Sequence, residues 1–543
     1  MKKIAVILTI VILLTPVLSI PTSSSGPIIG KTEDATSGEI IALSCSDLYP
    51  TLGEPVYLSV TVAGKTRERF NETVSMTDEF HGLIATAGEM TWLSGNVTVS
   101  QIVMNVGKLL RYTKKIAWYP SVVGNHTFHV VAGTFPEKQL NVSVSFDVEG
   151  IIAPSLGCPS IIIKNNTNQF AVTISEERNT TEEPAQILQV ELQTIDGTTH
   201  YQLENHTATW RTWIKTGTNI LEDELIVSYT IDSIPDGFYN ISVTTTKENY
   251  AWPHAVKILN TEPTEYTVVQ LTDLHIGKYA NFVNKKKELI RLITYLNENI
   301  HPDFVILSGD SVDWYNQKSH RNVYADLQEA LLTCNVPVFT TPGNHERYGN
   351  SLLLLYSPFT NLIPYHRFLN PLSDYSFEYG NVNFVFLDSG YDYNRWEIQP
   401  QIWNTTPEGS GLTTTQMYLL ENTWGIKQMN QIIIMHHPAV NDRNDTGLGA
   451  LPNDLPSGND ECIAFNRGAF ITYCFANNVS LILTGQTHEN HMFNSQGKET
   501  NNYSSWPLFV QTDSATMNGQ NNGGRAVHIK NSAVLNYEYV PFR

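Results

Sequence analysis

Five short runs carry the side chains that could do chemistry: Asp273-Leu274-His275, Gly309-Asp310, Gly343-Asn344-His345-Glu346, His436-His437-Pro438 and Gly485-Gln486-Thr487-His488. Together they offer carboxylates, imidazoles and amides, with no thiolate. Such donors favour Mn, Fe, Zn or Mg over soft metals. A carboxylate such as Asp310 can bridge two ions about 3.5–4 Å apart, and the pair can polarise a phosphate and ionise a bound water. Glycine before Asp310 and before Asn344 lets the backbone turn sharply where the side chain enters the site. Singly, most of these runs say little, since Asp-x-His is usually a capping detail and Gly-Asp a turn. Gly-Asn-His-Glu is more informative, with chance matches on the order of 0.003 in a chain of this length.

Each run follows an apolar stretch. Tyr266–Leu271, Phe304–Leu307, Val336–Thr340, Gln431–Met435 and Val479–Leu483 read as buried strands, and Val382–Leu387 as another. Helical periodicity separates the first three: Asn284–Asn299, with Leu289, Ile290, Ile293 and Leu296 on one face, and Tyr324–Thr333. The alternation predicts βαβ units in an α/β domain spanning 263–543. Open α/β sheets place their sites at strand C-termini, so five strand ends converge Asp, His and Asn on one edge. Stretches 391–411 and 441–460, broken by Pro, Gly and Asn, read as long loops of the kind that often carry function.

Upstream the texture is β. Alternating runs such as Glu39–Ser44, Val56–Val62, Leu140–Val148, Leu188–Leu192 and Tyr239–Thr246 recur between Gly, Pro, Asn and Asp turns. They predict two tandem all-β sandwiches of immunoglobulin or fibronectin III type, over 26–150 and 151–262. Residues 1–25 read as a signal peptide, with Lys2 and Lys3 before the apolar run Ile4–Leu14; an uncleaved anchor is the alternative. Export to the surface or the medium follows, and 12 Asn-x-Ser/Thr sequons, among them Asn71, Asn125, Asn240 and Asn444, would permit glycosylation there. In an oxidising space Cys45 would pair with Cys158 and Cys462 with Cys474, leaving Cys334 as a buried thiol. The net charge of −19 argues against binding a nucleic-acid duplex, which needs clustered Lys and Arg.

The ordered set of runs resembles the calcineurin-like metallophosphoesterase superfamily, whose pattern is Asp-x-His, Gly-Asp, Gly-Asn-His-(Asp/Glu), His, Gly-His-x-His. The resemblance covers about residues 266–540 and implies a four-layer α/β fold with two divalent metal ions. It implies that Asp273, His275, Asp310 and His488 hold one ion, and Asp310, Asn344, His436 and Gln486 the other. His345 would be the non-ligand histidine that protonates the leaving group, and Asp313 would orient it. Of His436 and His437, the first is the expected ligand. Gln486 stands where the family has histidine; an amide oxygen coordinates more weakly, so the second ion would bind loosely or be a harder one.

Among subfamilies, purple acid phosphatases have tyrosine where this chain has Asp313, so an iron–tyrosinate centre is not expected. Protein Ser/Thr phosphatases follow that aspartate with Arg-Gly, here Trp314-Tyr315. Cyclic-nucleotide-type phosphodiesterases are nearest in texture. Arg347 and Arg443 could clasp a phosphate oxygen bidentately, and Tyr391 and Trp396 could stack a base or sugar. The expected activity is hydrolysis of a small phosphomonoester or phosphodiester by a metal-bound hydroxide, with the sandwiches docking on a cell surface or glycan. The alternative is a binding or adhesion protein whose phosphoesterase-like domain has weakened at Gln486.

Overall fold

The structure is a computed structural model. It describes residues 38–541, apart from 278–284, 314–319, 348–361, 391–408, 441–461 and several stretches of five residues or fewer. The signal segment, Arg443, Tyr391 and Trp396 lie outside the described residues.

The described residues open with β1 (Gly38–Cys45), β2 (Val56–Gly64), β3 (Phe70–Thr86), β4 (Glu89–Val106), β5 (Arg111–Trp118), β6 (Val123–Ala132) and β7 (Lys138–Val144). Strict alternation along β2 buries Val56, Leu58, Val60 and Val62 while their neighbours stay half-exposed, as a strand with one covered face requires. The sheet β1-β2-β5 packs on a second formed by β4, β3, β6 and β7. Nine strands follow, from β8 (Gly150–Ala153) to β16 (Asn249–Leu259), in sheets of four and five strands around their own apolar core. The N-terminal half is therefore β-rich.

From β17 (Glu265–Leu271) onward strands alternate with helices. Strands β17, β18 (Phe304–Ser308) and β19 (Val338–Thr341) are parallel neighbours. Next come β20 (Tyr375–Tyr379), β21 (Val382–Phe386), a short β22 (Gly409–Gly411), β23 (Asn430–Ile434), β24 (Ile463–Phe465) and β25 (Val479–Thr484). The chain ends with β26 (His491–Phe493), β27 (Leu508–Gln511), β28 (Gly523–Lys530) and β29 (Ala533–Pro541). One sheet runs β19-β18-β17-β28-β29; β21, β23, β25 and β27 form the parallel heart of another.

The period-2 geometry of a strand sorts the apolar residues into layers. Val268, Phe304, Ile306 and Phe339 point inward and meet Phe384, Phe386, Ile432, Ile434, Leu481 and Leu483 of the other sheet. Their neighbours Val269, Leu271, Val305 and Leu307 point outward onto α1 (Lys285–Tyr295) and α2 (His320–Leu331). Val385, Ile433 and Ile482 likewise face α4 (Thr414–Leu419) and α5 (Arg467–Ala476), which flank the second sheet; a short α3 (Ile363–Phe368) joins the first pair. Helix α4 opens with a capping box, Thr413 Oγ1 accepting from Gln416 N and Gln416 Oε1 from Thr413 N.

One feature departs from the picture of beads on a string. Strand β20 lies beside β3, pairing Tyr375 with Ala85, so the first β region and the second α/β sheet form one ten-stranded sheet. The apolar core between the α/β sheets is continuous with that of the first β region. Polar contacts cross the same seam: Trp424 Nε1 donates to Ala85 O at 2.8 Å, and the buried side chains of Asp147 and His366 pair. The second β region also reaches in, since Gly157 accepts from Thr340 N and donates to Leu369 O, both at 2.8 Å.

The disulfide expectation fails. All five cysteines stand as thiols. Cys158 closes the turn that Ser155 opens, against the α/β region, whereas Cys45 ends β1 in the first β region's outer sheet; Cys474 points into the core under α5. Cys334 is buried, as expected.

Removing residues 1–149 would unpair Tyr375 of β20 and expose part of a shared apolar core. A fragment starting at Gly150 is expected to aggregate in size-exclusion chromatography; a folded monomer would show the regions to be separable.

Candidate metal centre

All five chemistry-bearing runs sit where strands end. Asp273 and His275 follow β17, Asp310 and Asp313 follow β18, and Asn344 and His345 follow β19; His436 follows β23, and Gln486 and His488 follow β25. The loops are laced together by their backbones. Asp273 N donates to Gly309 O (3.2 Å), His275 N to Asp310 O (2.9 Å) and Gly485 N to His436 O (2.9 Å). Asp273, His275, Asp310, Gln486 and His488 all adopt positive φ, between 46° and 68°. Side-chain-bearing residues pay about 1–3 kcal/mol each for such backbone, and the cost is tolerated where the surroundings dictate it.

The glycines have separate reasons. Gly309 has φ +92°, and a Cβ there would lie 2.4 Å from His436 Nδ1. Gly343 needs no special φ; a Cβ there would sit 2.3 Å from Asp310 Oδ1, so close approach explains it.

Asp310 is the hub. Oδ1 accepts from His345 N at 3.0 Å and lies 3.3 Å from His436 Nε2. Oδ2 lies 3.7 Å from His275 Nε2 and 3.6 Å from His345 Nε2. Asp273 Oδ1 lies 3.0 Å from His488 Nε2, and Oδ2 accepts from Thr272 Oγ1 (2.8 Å) and Gln486 N (3.2 Å). Three groups have ligand atoms all within 4.8 Å of one another: Asp273, His275 and His488; Asp273, Asp310 and His436; and His275, Asp313 and His345.

The residues fit divalent cations. Asp273 Oδ1 and His436 Nε2 are buried without a well-formed hydrogen bond, and the atoms nearest them are themselves potential ligands. Buried polar atoms that face only one another in this way suit a shared cation. His436 Nδ1 donates to Ser308 O at 2.9 Å, which fixes its tautomer and leaves Nε2 as the ligand atom. Its neighbour His437 is instead engaged by Ser389, whose Oγ lies 2.8 Å from His437 Nδ1. Asn344 is buried at the end of β19, and Gln486 is partly buried at the end of β25.

His345 stands beside the ligands, its Nδ1 3.2 Å from Asp313 Oδ1. Burial opposes its positive charge, but Asp310, Asp313 and Glu346 outweigh that and hold its pKa above the ordinary value. Burial also works against ionised Asp310, yet His436, His345 and His275 keep its carboxyl well below the usual range. Burial lowers the pKa of His275.

The motif reading gave Glu346 no role. Its buried carboxylate accepts from Asp310 N (3.0 Å), Ser311 N (2.7 Å), Val312 N (3.1 Å) and Gly343 N (2.7 Å), tying the second and third loops together. Nothing but its place in the Gly-Asn-His-Glu run marked it. Arg347, expected at a phosphate, is a correction: it is 3% exposed, paired with Asp388, and donates to Gly53 O at 3.4 Å. A guanidinium so buried must keep its counterion and is not available as an open clamp.

Residues 266–490 match the family of calcineurin-like phosphoesterases, and this part of the chain is a calcineurin-like phosphoesterase domain. No curated protein matches the chain. Among solved structures, a β-glucosidase from Listeria innocua in complex with glucose is 12% identical, over 20% of this chain and 16% of that one, with TM-score 0.16. An alkylpurine DNA glycosylase from Pseudomonas fluorescens is 13% identical over 20% and 30% of the two chains, also at 0.16. Likeness this low carries no argument.

Two predictions follow from the donor set. Burial disfavours charge on His436, but Asp310 and Asp273 raise its pKa to about 10. Near neutral pH a cation must therefore displace a proton from Nε2, so apparent Mn²⁺ affinity is expected to rise with pH. Calorimetry in buffers of different ionisation enthalpy would count the proton. Gln486→His is expected to tighten the weaker of two Mn²⁺ sites by about tenfold, read from metal-binding isotherms.

Proposed function

We propose that the chain is an exported phosphoesterase that hydrolyses small phosphomonoesters or phosphodiesters at a dinuclear metal centre. The observation that carries this is a set of three overlapping His and Asp groups at strand ends of two sheets, with His275, His345 and His436 each within 3.7 Å of the Asp310 carboxylate. We read those sheets, with helices on their outer faces, as the superfamily's four-layer architecture.

Asp273, His275, Asp310 and His488 would hold one divalent cation, and Asp310, Asn344, His436 and Gln486 the second. When bound, the cations supply Lewis acidity to the phosphate and acidify water. His345 supplies the proton. Asp313 on Nδ1 fixes the ring, so Nε2 faces the reacting side, 3.6 Å from Asp310 Oδ2. The carboxylates around the ring favour imidazolium, ready to protonate the leaving alkoxide. Glu346 holds the Asp310 and Gly343 backbones in register, so the ligands meet without a search. The β-rich N-terminal half would supply surface or glycan contacts.

With Mn²⁺ supplied, the protein is expected to turn over chromogenic phosphate esters and Asp310→Asn to lose more than about a hundredfold. The preferred ester assigns the branch. No turnover, together with less than one ion bound per chain, would favour a binding protein with a weakened domain.

A further inference from the structure

The residues after β21 belong to none of the five runs, yet they connect two of them. Asp388 pairs with Arg347, the last residue of the short 3₁₀ turn His345–Arg347. Ser389, fully buried, accepts from His437 N at 3.0 Å and lies 2.8 Å from His437 Nδ1, directly beside His436. Two adjacent residues thus touch the loop of the non-ligand histidine on one side and a ligand's loop on the other.

The dipeptide is itself held fast. Asp388 N donates to Asp374 Oδ1 (2.8 Å), Gly390 N donates to Asp388 Oδ1 (2.9 Å), and Gln416 Nε2 bridges Asp374 Oδ1 (2.7 Å) and Asp388 O (2.8 Å). Gly411 N donates to Ser389 O at 3.0 Å. Just before them, Leu387 O accepts from Thr341 Oγ1 at 3.0 Å, which pins the end of β21 to the end of β19. Arg347 also reaches Gly53 O, so the first β region backs the same turn.

We propose that Asp388 and Ser389 are positioning residues: Asp388 sets His345 through Arg347, and Ser389 sets His436 through His437. A buried guanidinium is stable only beside its counterion, so Arg347 is drawn to one place and carries the 3₁₀ turn with it. A buried hydroxyl that both accepts from the backbone and meets the ring of His437 fixes that residue's rotamer. The kinetic part of this inference rests on the hydrolase reading; the spectroscopic part does not.

The test uses Asp388→Asn, Ser389→Ala and the double variant Arg347→Met/Asp388→Leu in the full chain. In the Mn²⁺ form, initial rates are compared on a p-nitrophenyl and an alkyl phosphate ester. Asp388→Asn is expected to lose about tenfold more rate on the alkyl ester, whose leaving group needs the proton from His345, with KM little changed. The double variant removes both buried charges, so it keeps the fold if the single variant does not, and it is expected to show the same selective loss. With Co²⁺ as the probe, Ser389→Ala is expected to shift the visible ligand-field bands relative to wild type at equal cobalt content. Equal losses on both esters, or alkyl-ester activity restored in the double variant, overturn the role of Asp388. Unmoved cobalt bands overturn the role of Ser389. A wild type silent on both esters whose cobalt bands still move with Ser389→Ala overturns the hydrolase reading and supports the Ser389 half of the proposal.

Discussion

Everything at this site depends on one buried negative charge. Asp310 is 2% exposed, and a carboxylate there is tenable only if positive partners surround it. The histidines of three loops and the backbone N–H of His345 gather for that reason. Glu346, a second buried carboxyl, lies behind it on four backbone N–H donors, yet burial and the charge of Asp310 outweigh those donors and push its pKa up to about 7. Two acids this close repel, and Glu346 yields to Asp310.

The strained backbone obeys the same demand. Five residues of the site hold positive φ without being glycine. Two of them, His275 and His488, bring Nε2 to 3.7 Å from Asp310 Oδ2 and 3.0 Å from Asp273 Oδ1. The inner core of Phe304, Phe339, Phe384 and Phe386 packs between the two sheets whose strand ends carry the site.

Much of the α/β half was legible in the sequence because its strands are buried on both faces and therefore read as unbroken apolar runs. Val479–Leu483 and Phe304–Leu307 fall within β25 and β18. The third strand starts later than its apolar run, at Val338, since Pro337 cannot donate to a ladder. What sequence could not show were interactions between distant segments. The β28 and β29 hairpin alternates too weakly to announce itself, and the single pairing of Tyr375 with Ala85 has no local signature. Arg347 misled for a related reason: its partner Asp388 is 41 residues away, and proximity to a motif suggested a substrate contact. The cysteine pairing rested on compartment chemistry alone, and the five cysteines stand as thiols.

The shared sheet has a consequence for how the molecule comes into being. A chain made from its N-terminus completes β3 long before β20 and α4 exist; Ala85 and its partner Trp424 are 339 residues apart. Until then the last residues of β3, beyond the Val74–Leu83 stretch that β6 covers, lack the neighbour that Tyr375 supplies, and the apolar core they share is unfinished. Folding here is not a procession of finished domains. The β region made ahead of the α/β sheets gains the partners of Ala85, Tyr375 and Trp424, only with the sheet that carries His436 and His488.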